Sequence, residues 1–309
     1  MKRVLVIAAA AALAAAAWPS PPQYKVVATF DSNFRAPFDA AIAPNGNVYI
    51  DDFVSILYFT PTGSFLGSWG LLRPSHDEYV YPSGICVVPN ANVYATLGDN
   101  LTYLVQYFNA TGSFLGSWGS DRSGNRRFGW PSGIAHGPNG YIYVADKGRD
   151  YVQYFTSTGS FVGMWGSHGT GNGQFSYAGH VAVRPNGDVY VADYRNNRVQ
   201  YFDSTGSFRG KWYVSSPLGL DVAADGTTFV GSWLRQTVEY YTAAGSFLGS
   251  FGGPGSGLGS FDHPTGIAVT PDLRRVYVTD AGNDRVQYFD QTNPAVVPAS
   301  LGRVKALFR

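Results

Sequence analysis

The feature that most restricts what this chain can fold into is a repeat. Tyr58-Phe59, Tyr107-Phe108, Tyr154-Phe155, Tyr201-Phe202, Tyr240-Tyr241 and Tyr288-Phe289 mark six copies of one unit, mostly about 47 residues apart, a blade-sized period. Gly-Ser-Phe follows five of these pairs, starting at Gly63, Gly112, Gly159, Gly206 and Gly245. A large aromatic then ends the unit at Trp69, Trp118, Trp165, Trp212 or Phe251. The unit is clearest over 133–166, where four short runs rich in β-branched and aromatic residues are divided by Pro138-Asn139-Gly140, by 146–150 and by Thr158-Gly159-Ser160. Short apolar runs bounded by Gly, Pro, Asn and Asp are hairpin signals, and none is long enough for a periodic helix. Each unit reads as a four-stranded antiparallel meander.

A lone meander cannot bury its hydrophobic stripe, whereas six stacked radially bury one another and leave only short protected edges. The expected fold is therefore all-β, a six-bladed β-propeller over 24–291 with blades near 38–70, 82–119, 131–166, 179–213, 217–252 and 264–289. The last blade lacks a good fourth strand, because Thr292-Asn293-Pro294-Ala295 replaces the expected Thr-Gly-Ser-Phe. Residues 24–30 look like a fourth strand with no blade before it, and Phe30 stands where other blades carry Trp. The N-terminal strand is thus expected to complete blade six and close the ring, which would otherwise expose two hydrophobic faces and unpaired edges.

Three elements resemble the NHL-repeat family: Gly-Ile-Ala-Val at 266–269, Pro-Asn-Gly-Asp-Val-Tyr-Val-Ala-Asp at 185–193, and Asn-Arg-Val-Gln-Tyr-Phe at 197–202. The resemblance implies the propeller fold. It implies function only broadly, since such propellers serve as binding scaffolds, as lyases and lactonases, and as RNA-binding domains. Amidating lyases with NHL repeats hold zinc through histidines just after the proline that opens a first strand. Here those slots carry Ser83, Ser132, Leu218 and Thr265; His180 is displaced by one place, His263 precedes its proline, and His136 and His168 lie elsewhere. A zinc site takes three or four converging ligands. The spacing does not supply them, so neither zinc nor calcium, nor any other cofactor, is expected.

Flanking segments and composition set the context. Lys2-Arg3, the apolar run 4–16 and Ala15-Ala16-Ala17 read as a signal peptide over 1–17; the run falls short of the about 20 residues that span a bilayer. Export to the periplasm, the cell surface or the medium is expected, with no membrane attachment after cleavage. Residues 18–23 read as a linker and 292–309 as a C-terminal tail. A formal charge of +1 gives no field to recruit nucleic acid. Aromatics are 16% of the chain, and each removes roughly 150–250 Å² from water when buried, so the core needs no disulfide. The lone cysteine, Cys86, falls in a first strand and reads as a small buried thiol.

In such a ring the loops leading into first strands and the loops joining second to third strands share one face, and loops on a rigid frame carry function. The repeated Asp146, Asp193 and Asp280 read as turn caps that pair with a following arginine, Arg198 or Arg285. A basic patch of Arg122, Arg126, Arg127, Lys147, Arg149, Arg195 and Arg198 suits an acidic ligand, and departures from the repeat mark His180 and Gly231-Ser232-Trp233. Aromatic and arginine side chains carry most interface energy. The candidate contacts are therefore Trp130, Arg149, Tyr177, His180, Arg195, Trp233 and Arg235, in a non-enzymatic exported scaffold that binds a protein, peptide or carbohydrate. The alternative is a metal-assisted lyase or hydrolase at the channel mouth, although no Gly-x-Ser-x-Gly elbow or other nucleophile motif is present.

Overall fold

The computed structural model describes residues 21–30, 34–53, 55–71, 81–98, 103–119 and 127–292, without the side chains of 81 and 82. The expected signal peptide, the first half of the linker, nearly all of the C-terminal tail, Arg122 and Arg126 lie outside the described residues.

Six four-stranded antiparallel sheets form the ring. Blade one is Pro37–Ile42, Val48–Asp52, Ser55–Phe59 and Phe65–Gly70, and blades two to five repeat that order. The first strands of blades two to six are Tyr81–Val87, Pro131–His136, Ala178–Val183, Pro217–Val222 and Pro264–Val269. Each packs on the first strands of both neighbouring blades, and that of blade six packs on that of blade one, so the strands encircle a closed axis. Blade six takes its outer strand from the other end of the chain. Tyr24–Thr29 pairs antiparallel with Arg285–Gln291, from Tyr24 opposite Gln291 to Thr29 opposite Gln287. The only helical pieces among the described residues are two 3-10 turns, Tyr194–Asn196 and Ala281–Asn283; none of the described helices is long and apolar enough to cross a membrane.

The repeated aromatic and the repeated glycine meet across each blade interface. Trp69, Trp118, Trp165 and Trp212 lie flat over the Gly-Ser-Phe turn of the following blade, where an added Cβ on Gly112, Gly159, Gly206 or Gly245 would come within 2.5–2.6 Å of the indole. These glycines have φ between +86° and +95°, a conformation that also excludes most side chains. The same rings reach the third-strand aromatic of that blade, with centroids 5.9 Å apart for Trp69–Phe108, 6.1 Å for Trp118–Phe155, 5.7 Å for Trp165–Phe202 and 5.8 Å for Trp212–Tyr241. Phe251 touches Phe289 at 4.5 Å between blades five and six. At the seam Phe30 does the same, 4.9 Å from Phe59 and over Gly63, whose Cβ would lie 2.7 Å from its ring. The ring therefore closes by the contact that joins its other blades.

The tryptophans do this at a cost. The Nε1 groups of Trp69, Trp118, Trp165 and Trp212 are buried and find no acceptor among the described residues, while Phe30 and Phe251 fill the equivalent place with no polar atom. Trp165→Ala should destabilise by about 3–5 kcal/mol through the cavity it leaves. Trp165→Phe should lose far less, because it also removes an unsatisfied donor that itself costs about 1–3 kcal/mol. Urea denaturation midpoints of the two variants check this; equal losses would show that the indole N–H is satisfied in solution.

Candidate functional site

The third residue of each first strand (the fourth in blade two) faces the axis, and the repeat calls for glycine there. Gly84, Gly133, Gly219 and Gly266 are packed so tightly on the next blade that a Cβ would come within 2.2–2.5 Å of its backbone. Blades one and four depart from this, with Asp39 and His180. They stand opposite each other, and their side chains meet across the channel at 3.0 Å between His180 Nε2 and Asp39 Oδ2. Both are buried, at 6% and 1% exposed. Asp39 also accepts the Ile85 N–H at 3.0 Å and the Ala40 N–H at 2.9 Å, and its own N–H donates to Asp51. His180 is thus a crossbar inside the channel and not one of the loop-face contacts among which the sequence places it.

Burial and charge compete along this axis. Burial, the largest influence, would lower the His180 pKa, but the facing Asp39 carboxylate, Asp221 and the Leu220 backbone together outweigh it and raise the imidazole above its ordinary value. Burial, then repulsion from Asp39, pushes Asp51 well above the carboxylate range. Asp221, from blade five, is pushed up to about 6 by burial; N–H bonds from Val269 at 2.8 Å and Val222 at 2.7 Å, and the nearby His180, oppose that rise.

On the loop face, three blades converge on one ammonium. Lys147 Nζ lies 4.9 Å from the ring centre of Trp130, 5.4 Å from that of Tyr177 and 5.9 Å from that of Phe38. The Arg195 guanidinium carbon also lies over the Tyr177 ring, 5.4 Å from its centre. The aromatic line continues through Tyr177–Tyr194 at 5.3 Å, Tyr194–Trp233 at 6.5 Å and Trp233–His263 at 4.2 Å. Burial draws the Lys147 pKa down to about 8, with Asp146 opposing. Asp146 itself is occupied, accepting N–H bonds from Gly129, Trp130 and Gly148. Asp193 and Asp280 likewise cap their lead-in loops through Ser176 and Asp262 and pair with Arg198 and Arg285 at 2.7 and 2.6 Å. These aspartates are spent on the frame.

Of the sequence candidates, the structure therefore gathers Trp130, Tyr177, Arg195 and Trp233 into one aromatic–cationic surface, with Lys147 at its centre. Arg149 packs along Gly129, next to Trp130 in the chain, and Arg235 pairs with Glu239 at 2.9 Å. Asp39 and Asp221 are axial residues that the sequence reading passes over; placing Pro37-Phe38-Asp39 beneath Pro82-Ser83-Gly84 would have exposed the first. The described histidines do not converge: His168 meets Asp150, His263 meets Asp262, His180 meets Asp39, and His136 lines the far end of the channel. Among the described residues no group of three His, Cys, Asp or Glu is placed to hold a metal ion.

The NHL repeat model matches at 175–202 and 261–289, which carry strands of blades four and six, so the six-bladed ring carries NHL repeats in at least these two blades. Among solved structures it is similar to virginiamycin B lyase from Staphylococcus aureus, at 14% identity over 87% of this chain and 99% of that one, with a TM-score of 0.59. It is also similar to a gluconolactonase from Xanthomonas campestris, at 12% identity over 88% of this chain and 95% of that one, with a TM-score of 0.64. At such identities the likeness is one of fold. A search of curated proteins finds no match.

The axial pair has a measurable signature. His180→Ala leaves the Asp39 carboxylate buried without its cation and should cost about 3–5 kcal/mol; the double variant Asp39→Ala/His180→Ala should cost less than the two single losses added together. Because the folded His180 pKa is raised, the coupling is complete below the unfolded value and is lost as pH rises through the folded one. A double-mutant cycle by denaturant titration, repeated from pH 5 to pH 9, checks both the sign and the decline.

Proposed function

We propose that this chain is an exported, non-enzymatic propeller whose loop face binds an acidic carbohydrate of the uronic-acid type. The observation that carries this reading is the Lys147 ammonium framed by the rings of Trp130, Tyr177 and Phe38. No carboxylate among the described residues forms an ion pair with it, and the nearest, Asp146, is committed to three backbone N–H groups. Trp130 is 42% exposed, so its ring offers a flat face for the C–H side of a sugar. The ammonium and the neighbouring Arg195 offer charge to a carboxylate held at that face. A charge-assisted hydrogen bond of this kind gains about 1.5–3 kcal/mol, and the surrounding rings strengthen it by excluding water.

Calorimetric titration with an oligogalacturonate and with its methyl-esterified, uncharged counterpart tests the reading. The acidic chain should bind more tightly, more weakly as salt rises, and Lys147→Ala should lower its affinity by about tenfold or more. Since the lysine is charged only below its pKa of about 8, affinity should fall as pH rises through that value, well before an ordinary lysine would lose its charge. Equal binding of both chains, unchanged by Lys147→Ala, would refute it.

A second reading, a lyase or hydrolase at the same mouth, draws support from the activities named for the two solved relatives. Incubating the titration mixtures separates the two. A new ultraviolet-absorbing double bond, or a chain that shortens with time, favours the enzyme.

A further inference from the structure

The channel has a second mouth. On the side of the turns joining first to second strands, away from Lys147, a cavity of about 670 Å³ runs down the axis, within the size range of small-molecule sites. Its wall is aliphatic, including Ile42, Val87, Ile134, Val183 and Val269, and its lining includes His180 and Asp221. The lining contains no lysine or arginine. The other titratable groups that line it are Cys86, His136 and, toward the turns, Asp272, which lies 3.4 Å from Arg274.

Charge does not balance around this cavity. The single buried imidazole is committed to Asp39 through Nε2, and its Nδ1 sits beside the Leu220 backbone without a hydrogen bond of good geometry. Asp221 accepts one N–H on each oxygen, although each carboxylate oxygen has room for a further donor. Asp39 raises its proton affinity and His180 lowers it, so the two carboxylates share one cation. A carboxylate set in an aliphatic cavity without its own counter-charge is costly, and an ammonium group on an aliphatic body would match both the floor and the wall.

We infer that this rear cavity is a binding site for an aliphatic primary amine, its ammonium on Asp221 and its chain along the first strands. The site is separate from the loop-face surface and does not depend on the ligand proposed there. The probes are hexylamine and 1-hexanol, which share a chain and differ in charge, titrated into the full-length protein at pH 7.5 and followed by calorimetry and thermal shift.

Hexylamine should bind saturably with one site per chain and raise the melting temperature, and hexanol should bind about tenfold or more weakly. Asp221→Asn should erase that difference. Val183→Phe, which keeps every charge and fills the wall, should weaken both probes and answers the question if the Asp221 variant does not fold. Lys147→Ala should leave hexylamine binding intact. No saturable binding of hexylamine, equal affinity for the two probes, or a Val183→Phe variant that binds both as the parent does would overturn the inference.

Discussion

The structure depends on one contact made six times, a large aromatic from the outer strand of each blade laid across to the next. In four interfaces it is tryptophan over glycine, at the seam it is Phe30 over Gly63, and between blades five and six it is Phe251 on Phe289. The contact sets how far apart neighbouring sheets sit. Each ring fills the space that a side chain on the turn would occupy, so the glycine and the aromatic specify each other, and close packing leaves little tolerance for change on either side.

That spacing has its consequence at the axis. Blades held this closely bring their first strands together until only glycine fits at the innermost position of four of them. Asp39 and His180 are tolerated because they face each other across the ring, each supplying the partner that makes the other bearable in a low-dielectric interior. The pair also divides the channel's polar character. Toward the loop face the cation is Lys147, framed by rings; toward the opposite mouth the charge is Asp221, set in an aliphatic wall. One fold thus offers two ends of opposite electrostatic sign, which is why the two ligands inferred above differ in charge.

Much of the frame can be read from the chain because it is periodic. Tyr-Phe, Gly-Ser-Phe and the terminal aromatic are local signals, and Phe30 without a blade before it points to the clasp that Tyr24–Thr29 makes with Arg285–Gln291. The repeated aspartates are legible for the same reason: one carboxylate at one place in several blades, with an arginine five residues on in Asp193–Arg198 and Asp280–Arg285, describes a turn. The site is less legible because it is built from exceptions that are distant in sequence. Asp39 and His180 are 141 residues apart, and nothing near either announces the other. Phe38 joins Trp130 and Tyr177 around Lys147 only once blades one, three and four are set around a common axis. A linear reading sees Lys147 as one member of a basic patch, whereas the fold makes it the centre of a cage.

The claim that the aromatic locks hold the axis in place is tested most directly by native-state hydrogen exchange on Phe30→Ala. The amides of Ile85, which donates to Asp39, and of Val181, beside His180, lie in blades two and four, away from the seam. If the locks act together around the ring, loosening the seam should speed exchange at both amides along with those of blades one and six. Faster exchange confined to blades one and six, with Ile85 and Val181 as protected as in the parent, would contradict the account.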